Sequence, residues 1–307
     1  MVVPAFHSAG ALTTLADRVA AVLDSAGVGY ELVLVDDGSN DGTWDEVTAL
    51  AAQARPVRGL RLARNSGQHN ALLAGVRAAR RERIVTLDDD LQYRPESIPA
   101  LLEAMDRGAD LVYGGAERHQ HGRVRGLLTR ASKWMMRIAT GEPLVNSISA
   151  LRAFRTDLRD SFAGFDSPYV SLDVLLLWST GRIVEVPVPH DPRTQGDSGY
   201  SIRSLARHAL TITVGFSSRP LRAASLLGFA CTALGLVLLT DVLVRYIADG
   251  GSVPGFAFLA SAISIFSGAQ LFAIGVIGEY MARMYPGVIG QPAYTIAESV
   301  GDEPGRV

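Results

Sequence analysis

Ile84-Val85-Thr86-Leu87-Asp88-Asp89-Asp90-Leu91-Gln92 runs a short apolar segment straight into three consecutive acids, and Val33-Leu34-Val35-Asp36-Asp37-Gly38-Ser39 repeats the device earlier in the chain. Short β-rich runs that alternate with amphipathic helical stretches predict a parallel sheet covered by helices on both faces. Around these two segments, strands are expected at Val2–Phe6, Glu31–Asp36, Val57–Leu62, Arg83–Leu87 and Asp110–Tyr113, with helices at Leu12–Ala26, Thr43–Ala54, Asn70–Arg80 and Glu96–Arg107. Pro95-Glu96 suits a helix start, where proline loses no hydrogen bond and an acid meets the positive helix end. Ala150–Phe154 and Ile183–Val188 read as further strands. Pro187-Val188-Pro189-His190-Asp191-Pro192 is too proline-rich for a central strand and is expected to be an extended connector. Val2-Val3-Pro4-Ala5-Phe6 is short for a buried strand, so a few more residues are expected ahead of Met1, and no targeting peptide is visible.

An apolar fraction of 48% beside 20% charged residues in a chain of 307 suggests two differently solvated regions. The charges divide accordingly: between Ala223 and Gly278 only Asp241, Arg245 and Asp249 occur. Ala223–Thr240 is an uncharged run of 18 residues and Phe256–Gly278 one of 23, each near the roughly 20 residues that cross a bilayer. The alternative, a pair of buried helices in a soluble core, fits less well because neither run has a polar face. Arg219 and Arg222 before the first run and Arg283 after the second place both flanks in the cytoplasm by the positive-inside rule. Ile202–Phe216 reads as an amphipathic helix able to lie along a membrane surface. A net charge of −2 without a polybasic run gives no reason to expect a nucleic-acid partner. The lone Cys231 excludes an intrachain disulfide or a cysteine metal site.

The acids stand at the carboxyl ends of predicted strands, where open α/β sheets place their ligands. Asp36 and Asp37 are suited to accept hydrogen bonds from a ribose or base; an ordinary Asp-Gly turn capping the helix near Thr43 is the other reading. Three adjacent acids repel one another unless a cation compensates them. In extended chain, Asp88 and Asp90 would point the same way and reach one ion while Asp89 faces elsewhere. Hard oxygen ligands favour Mg²⁺ or Mn²⁺, which would also bridge a diphosphate. A solvated acidic turn is the alternative.

Asp36-Asp37-Gly38-Ser39, Asn65-Ser66-Gly67-Gln68-His69-Asn70-Ala71 and Asp88-Asp89-Asp90-Leu91-Gln92 together resemble family 2 glycosyltransferases of the GT-A fold that act on polyprenyl phosphates. The similarity continues through Arg118, Arg130-Ala131-Ser132-Lys133, Leu151-Arg152-Ala153-Phe154-Arg155, Arg193-Thr194-Gln195-Gly196-Asp197-Ser198, Pro220-Leu221-Arg222 and Gly278-Glu279-Tyr280. It is strongest to the undecaprenyl-phosphate 4-deoxy-4-formamido-L-arabinose transferases, with dolichol-phosphate mannose synthases as near relatives. The resemblance implies a GT-A (Rossmann-like) α/β catalytic domain over 1–200, a juxtamembrane helix over 201–222, two transmembrane helices over 223–280 and a cytoplasmic tail over 281–307. It implies an inverting transfer from a nucleoside-diphosphate sugar, UDP favoured, to undecaprenyl phosphate by a multi-pass protein of the plasma or bacterial inner membrane, catalytic domain in the cytoplasm, assembled as a tetramer.

By the same resemblance, Pro4, Phe6, Asp36, Asp37, Asp88, Asp89, Arg193 and Ser198 would hold the nucleotide-sugar. Asp88, Asp90 and Gln92 would bind the metal, and Asp90, Arg118, Arg130, Ser132 and Lys133 would carry the transfer, the basic residues receiving phosphate groups. Arginine's fork suits phosphate oxygens in any case. Arg123 and Arg125 read instead as a solvated face. The chain departs from its relatives in three places: Phe6-His7 stands where they have a Tyr-Asn pair, Asn146-Ser147-Ile148-Ser149 offers no aspartate as base, and Gly199 replaces a lysine. A phosphate monoester, largely ionised at neutral pH, needs no strong base. Asp173 reads as an ordinary helix-start acid. These departures keep open a second reading, a non-catalytic membrane-anchored nucleotide-sugar binding partner of a lipid-sugar flippase. A processive synthase would need more spans, and a nicotinamide dehydrogenase a glycine fingerprint after the first strand.

Overall fold

The computed structural model describes residues 1–53, 56–116, 148–191, 219–248 and 255–301. Arg118, Arg130, Ser132, Lys133, Arg193, Ser198 and the expected amphipathic helix at Ile202–Phe216 lie outside the described residues, as do Asn146 and Ser147. The chain forms two compact units: Met1–Lys133 with Glu142–Tyr200 and Pro286–Val307, and Trp134–Gly141 with Ser201–Tyr285.

In the first unit the order is β1 (Val2–Ala5), α1 (Leu12–Ser25), β2 (Leu32–Asp36), α2 (Thr43–Ala51), β3 (Val57–Leu62), α3 (Gln68–Ala78), β4 (Arg83–Thr86), a 3-10 turn at Pro95–Ser97 leading into α4 (Ile98–Asp106), and β5 (Leu111–Ala116). After the gap come β6 (Arg152–Arg155), α5 (Leu172–Ser179), β7 (Ile183–Val188) and, near the C-terminus, β8 (Ile296–Val300). Among the described residues these strands make one sheet ordered β7-β5-β6-β4-β1-β2-β3-β8. As expected, β1, β2, β3 and β4 pair in parallel; the later strands make the sheet mixed, since β6 runs antiparallel to both β4 and β5, and β8 antiparallel to β3. Pro187 is accommodated because β7 is an edge strand, where a missing N–H costs no ladder bond.

The alternation of side chains along each strand feeds two cores. Val3, Leu32 and Leu34 join Leu12, Leu15, Val47, Leu50, Ile98 and Leu101 on the face covered by α1, α2 and α4. Val2, Val33 and Val35 join Leu72, Leu73, Val76, Leu172, Leu175 and Leu176 on the face covered by α3 and α5. Gly75 permits this second packing, since a Cβ there would lie 2.3 Å from a Val2 methyl.

Of the expected tail over 281–307, Ile296–Val300 form β8 in the first unit. β8 pairs with β3 through Gly59↔Val300, Leu60↔Ser299 and Arg61↔Glu298. Edge pairing satisfies backbone groups that β3 would otherwise present to solvent.

In the second unit, α6 (Arg219–Ala248) and α7 (Phe256–Val288) contain the two uncharged runs. A Cβ at Gly235 would lie 2.8 Å from the Phe266 ring, so this glycine serves close packing of α6 on α7 within one chain. Among the described residues, no helix is long and apolar enough to cross a membrane.

Candidate active site

β1 lies between β2 on one side and β4 on the other, with Val2 opposite Val33 and Thr86. The chain proceeds β1, β2, β3 in one direction and then crosses back over β1 to β4. The strand order therefore reverses between β1 and β4, and a crevice opens outside their carboxyl ends at such a point. Phe6–Ser8 follow β1 and Asp88–Asp90 follow β4, while Asp36 ends the neighbouring β2 and Asp37–Ser39 follow it.

The loops are bound to one another by short polar contacts. The His7 N–H donates to Ser39 Oγ at 3.1 Å, the Ser8 N–H to Thr43 Oγ1 at 2.9 Å, and the Ser8 hydroxyl to Asp89. Gln68 Nε2, in the first turn of α3, donates to Asp88 Oδ1 at 2.7 Å. Ser8 and Gln68 thus hold the acid cluster from two sides, and neither was assigned a role in the sequence; serine and glutamine carry no signal apart from their fold neighbours.

Asp37 is fully engaged. Its carboxylate accepts the Ser66 N–H at 2.7 Å and the Gly67 N–H at 2.8 Å, which satisfies two donors at the entry to α3. Burial pushes its pKa up, against the pull of those two bonds. The alternative Asp-Gly turn thus has a structural counterpart, but the helix whose entry is capped is α3 and not the helix beginning at Thr43. Gly38, at φ +75°, lets this loop approach, since a Cβ would meet the Arg64 backbone carbon at 2.7 Å.

Asp36 is fully buried, and one carboxylate oxygen accepts the Ser39 N–H at 3.0 Å. The other has no hydrogen-bond partner but lies 3.5 Å from Arg61 Nε, an ion-pair distance. Arg61 also pairs with Glu298 at 2.9 Å, so β8 reaches this loop. Pro4 is buried within β1, whereas Phe6 is 44% exposed and stacks on His7 with ring centroids 4.1 Å apart.

The acid cluster departs from expectation in one respect. β4 ends at Thr86, and Asp89-Asp90 already form a turn, with Leu91 at φ +56°. Strand alternation therefore does not govern where Asp88 and Asp90 point. The Gln92 N–H donates to Asp90 Oδ1 at 3.1 Å. Burial pushes the Asp88 carboxyl up to about 6; Arg152 pulls it down, Asp90 and Asp89 push it up, and the Gln68 bond pulls it down. Among the described residues no group of three or more His, Cys, Asp or Glu side chains forms a metal cage. One or two carboxylates are what Mg²⁺ ordinarily takes from a protein, the other ligands being water and substrate phosphate, so the donor set fits a cation shared with a diphosphate.

Asp173 stands in the first turn of α5, as expected of a helix-start acid, and it is buried. It is ion-paired with Arg152 and accepts the Tyr113 hydroxyl at 3.1 Å.

The family model described as "Glycosyl transferase family 2" matches residues 1–157. The undecaprenyl-phosphate 4-deoxy-4-formamido-L-arabinose transferase of Edwardsiella ictaluri is 32% identical over 305 residues, covering 98% of this chain and 93% of that one. The enzyme of the same name from Shewanella sediminis is 33% identical over 303 residues, covering 97% and 91%. Among solved structures, mannosyl-3-phosphoglycerate synthase from Rubrobacter xylanophilus superposes with a TM-score of 0.51 at 20% identity, covering 72% of this chain and 73% of its own. Glucosyl-3-phosphoglycerate synthase from Mycobacterium tuberculosis, in complex with Mn²⁺ and UDP-glucose, gives 0.50 at 20% identity, covering 69% and 75%. The fold is GT-A-like.

Proposed function

As this chain belongs to glycosyl transferase family 2 and is a glycosyltransferase, we propose that it moves a sugar from a nucleoside diphosphate, UDP by preference, to a polyprenyl phosphate at the cytoplasmic face of a membrane. The observation that carries the reading is the convergence of Asp36, Asp37 and the Asp88–Asp90 cluster at the point where strand order reverses. Near-full-length similarity to enzymes named for undecaprenyl phosphate supports the acceptor class.

The donor's nucleoside lies over the ends of β1 and β2. The exposed Phe6-His7 stack offers an aromatic face to the base, and Asp36 offers a buried carboxylate oxygen without a hydrogen-bond donor. Asp88 and Asp90, with Gln92 beside them, hold Mg²⁺ or Mn²⁺, which when bound supplies positive charge to the departing diphosphate. By the resemblance, Arg118, Arg130, Ser132 and Lys133 receive phosphate groups, and Arg193 and Ser198 bind the nucleotide-sugar. Their work is to align two anions and stabilise the leaving group. The acceptor phosphate is already largely ionised at neutral pH, so a single in-line displacement with inversion needs no carboxylate base near Asn146.

The second unit supports a membrane setting. Helices of 30 and 33 residues extend about 45 and 50 Å. Leu226, Phe229, Leu236 and Val237 on one, and Ile263, Leu271, Phe272 and Ile274 on the other, are exposed. So many exposed apolar side chains on long helices are stable when lipid or a second copy covers them; we assign lipid to most of this surface and a tetramer to the assembly. The test is transfer in detergent from a panel of UDP- and GDP-sugars to undecaprenyl phosphate, for wild type and Asp90→Asn. Sugar transfer that needs Mn²⁺ or Mg²⁺ and is lost on substitution is expected; nucleotide binding without transfer across the panel would overturn the reading.

A further inference from the structure

The Leu151-Arg152-Ala153-Phe154-Arg155 motif has no role in the chemistry above, yet Arg152 is 3% exposed in the middle of the sheet. Register places it between Thr86, on β4, and Tyr113, on β5. Its Nε donates to Thr86 Oγ1 at 2.8 Å, and a guanidinium cannot accept. The Thr86 hydroxyl must therefore turn its own proton elsewhere, and it donates to the Ala150 carbonyl at 2.9 Å. On the other side Arg152 Nη1 and the Tyr113 hydroxyl converge on Asp173 Oδ1. Every contact is directional, so the last residue of β4 is fixed from the side and from behind. Two residues later stands Asp88.

Asp173, which neutralises Arg152 on the far side, keeps the guanidinium from being an uncompensated buried charge.

We propose that Arg152 is a positioning residue for the acid cluster: held by Asp173 and Thr86, with Tyr113 on the same carboxylate, it fixes the end of β4, so that the cluster two residues on is set to receive a divalent cation. The inference rests on the reading of Asp88 and Asp90 as the cation's ligands. A purely structural network would change stability alone; a positioning network changes cation affinity beyond what stability explains.

The experiment uses the full chain in detergent, with Mn²⁺ binding followed by the loss of its free electron-spin resonance signal in the presence of UDP, and thermal unfolding recorded in parallel. Thr86→Val removes the hydroxyl with little change of shape, Tyr113→Phe removes one donor to Asp173, and Arg152→Lys keeps the charge but loses the fork. Partners that orient metal ligands from behind ordinarily matter by about 10–100-fold in affinity. Thr86→Val and Arg152→Lys are expected to remain folded and to weaken Mn²⁺ binding by about tenfold. Tyr113→Phe is expected to fall between them and wild type. Folded Thr86→Val and Arg152→Lys proteins with unchanged Mn²⁺ affinity would overturn the proposal while leaving the cation site standing. A wild-type protein that binds UDP but takes up no Mn²⁺ would overturn the cation site, and this inference with it.

Discussion

The Asp88 carboxyl titrates at about 6 instead of 3.8 because burial opposes its charge, a penalty that Arg152 reduces and that Asp90 and Asp89 increase. Between those two pH values the folded protein keeps a proton that the unfolded chain has lost, so stability falls as pH rises from about 4 to about 6 and the penalty is complete above it. A difference of roughly 2 units corresponds to about 3 kcal/mol, and because Asp88 is only partly buried by surface area, solvent screening reduces this to about 1–3 kcal/mol. Asp88→Asn retains an acceptor for Gln68 and removes the charge. The substituted protein, kept in EDTA at pH 7.5, should therefore be more stable than wild type, by roughly 3–8 °C for a unit of this size. At pH 4 the gain should vanish, because wild-type Asp88 is then mostly protonated. Transfer activity should be lost at the same time. Thermal unfolding at both pH values, with and without Mn²⁺, reads all of this. An Asp88→Asn protein less stable than wild type at pH 7.5 in EDTA, or equally stabilised at both pH values, would refute the reasoning.

Other outcomes follow from the same contacts. Gly38→Ala places a Cβ against the Arg64 and Asn65 backbone at positive φ, and should cost about 2–4 kcal/mol in chemical denaturation and weaken UDP binding. Asp37→Ala leaves the Ser66 and Gly67 N–H groups without their acceptor, and should cost about 2–3 kcal/mol by the same measurement. Phe6→Ala removes an exposed ring, so its melting temperature should stay within a degree or so of wild type while the donor KM rises. Glu298→Ala breaks an exposed pair with Arg61 and a 3.1 Å bond from Trp44 Nε1. Its stability should change by less than about 1 kcal/mol, with Trp44 fluorescence altered.

The strands β1 to β5 were legible because their apolar residues enter two different cores, as Val2 and Val3 do, even where Arg58 and Arg61 interrupt the run in β3. The carboxyl-end acids were legible for a related reason, since carboxylates packed at the end of a buried strand are costly to desolvate unless a donor or a cation meets them there. The direction of Asp88 and Asp90 was not, because extended geometry was carried past Thr86, where the chain already turns. β8 was missed because Ile296-Ala297-Glu298-Ser299-Val300 is largely exposed and its partner β3 lies far away in sequence. Arg152 and Asp173 are the hardest case. A single charge in an apolar stretch carries no sign of its partner until the fold brings the two together.

In the proposed reaction a sugar, without its phosphate, passes to a lipid monophosphate. The decisive measurement is mass spectrometry of the lipid product formed by wild-type protein from UDP-sugars and undecaprenyl phosphate, with Mn²⁺ and with EDTA. The expected result is a metal-dependent product in which undecaprenyl carries one phosphate between lipid and sugar, with UDP released. A product carrying two phosphates and released UMP, or the same yield in EDTA, would contradict it.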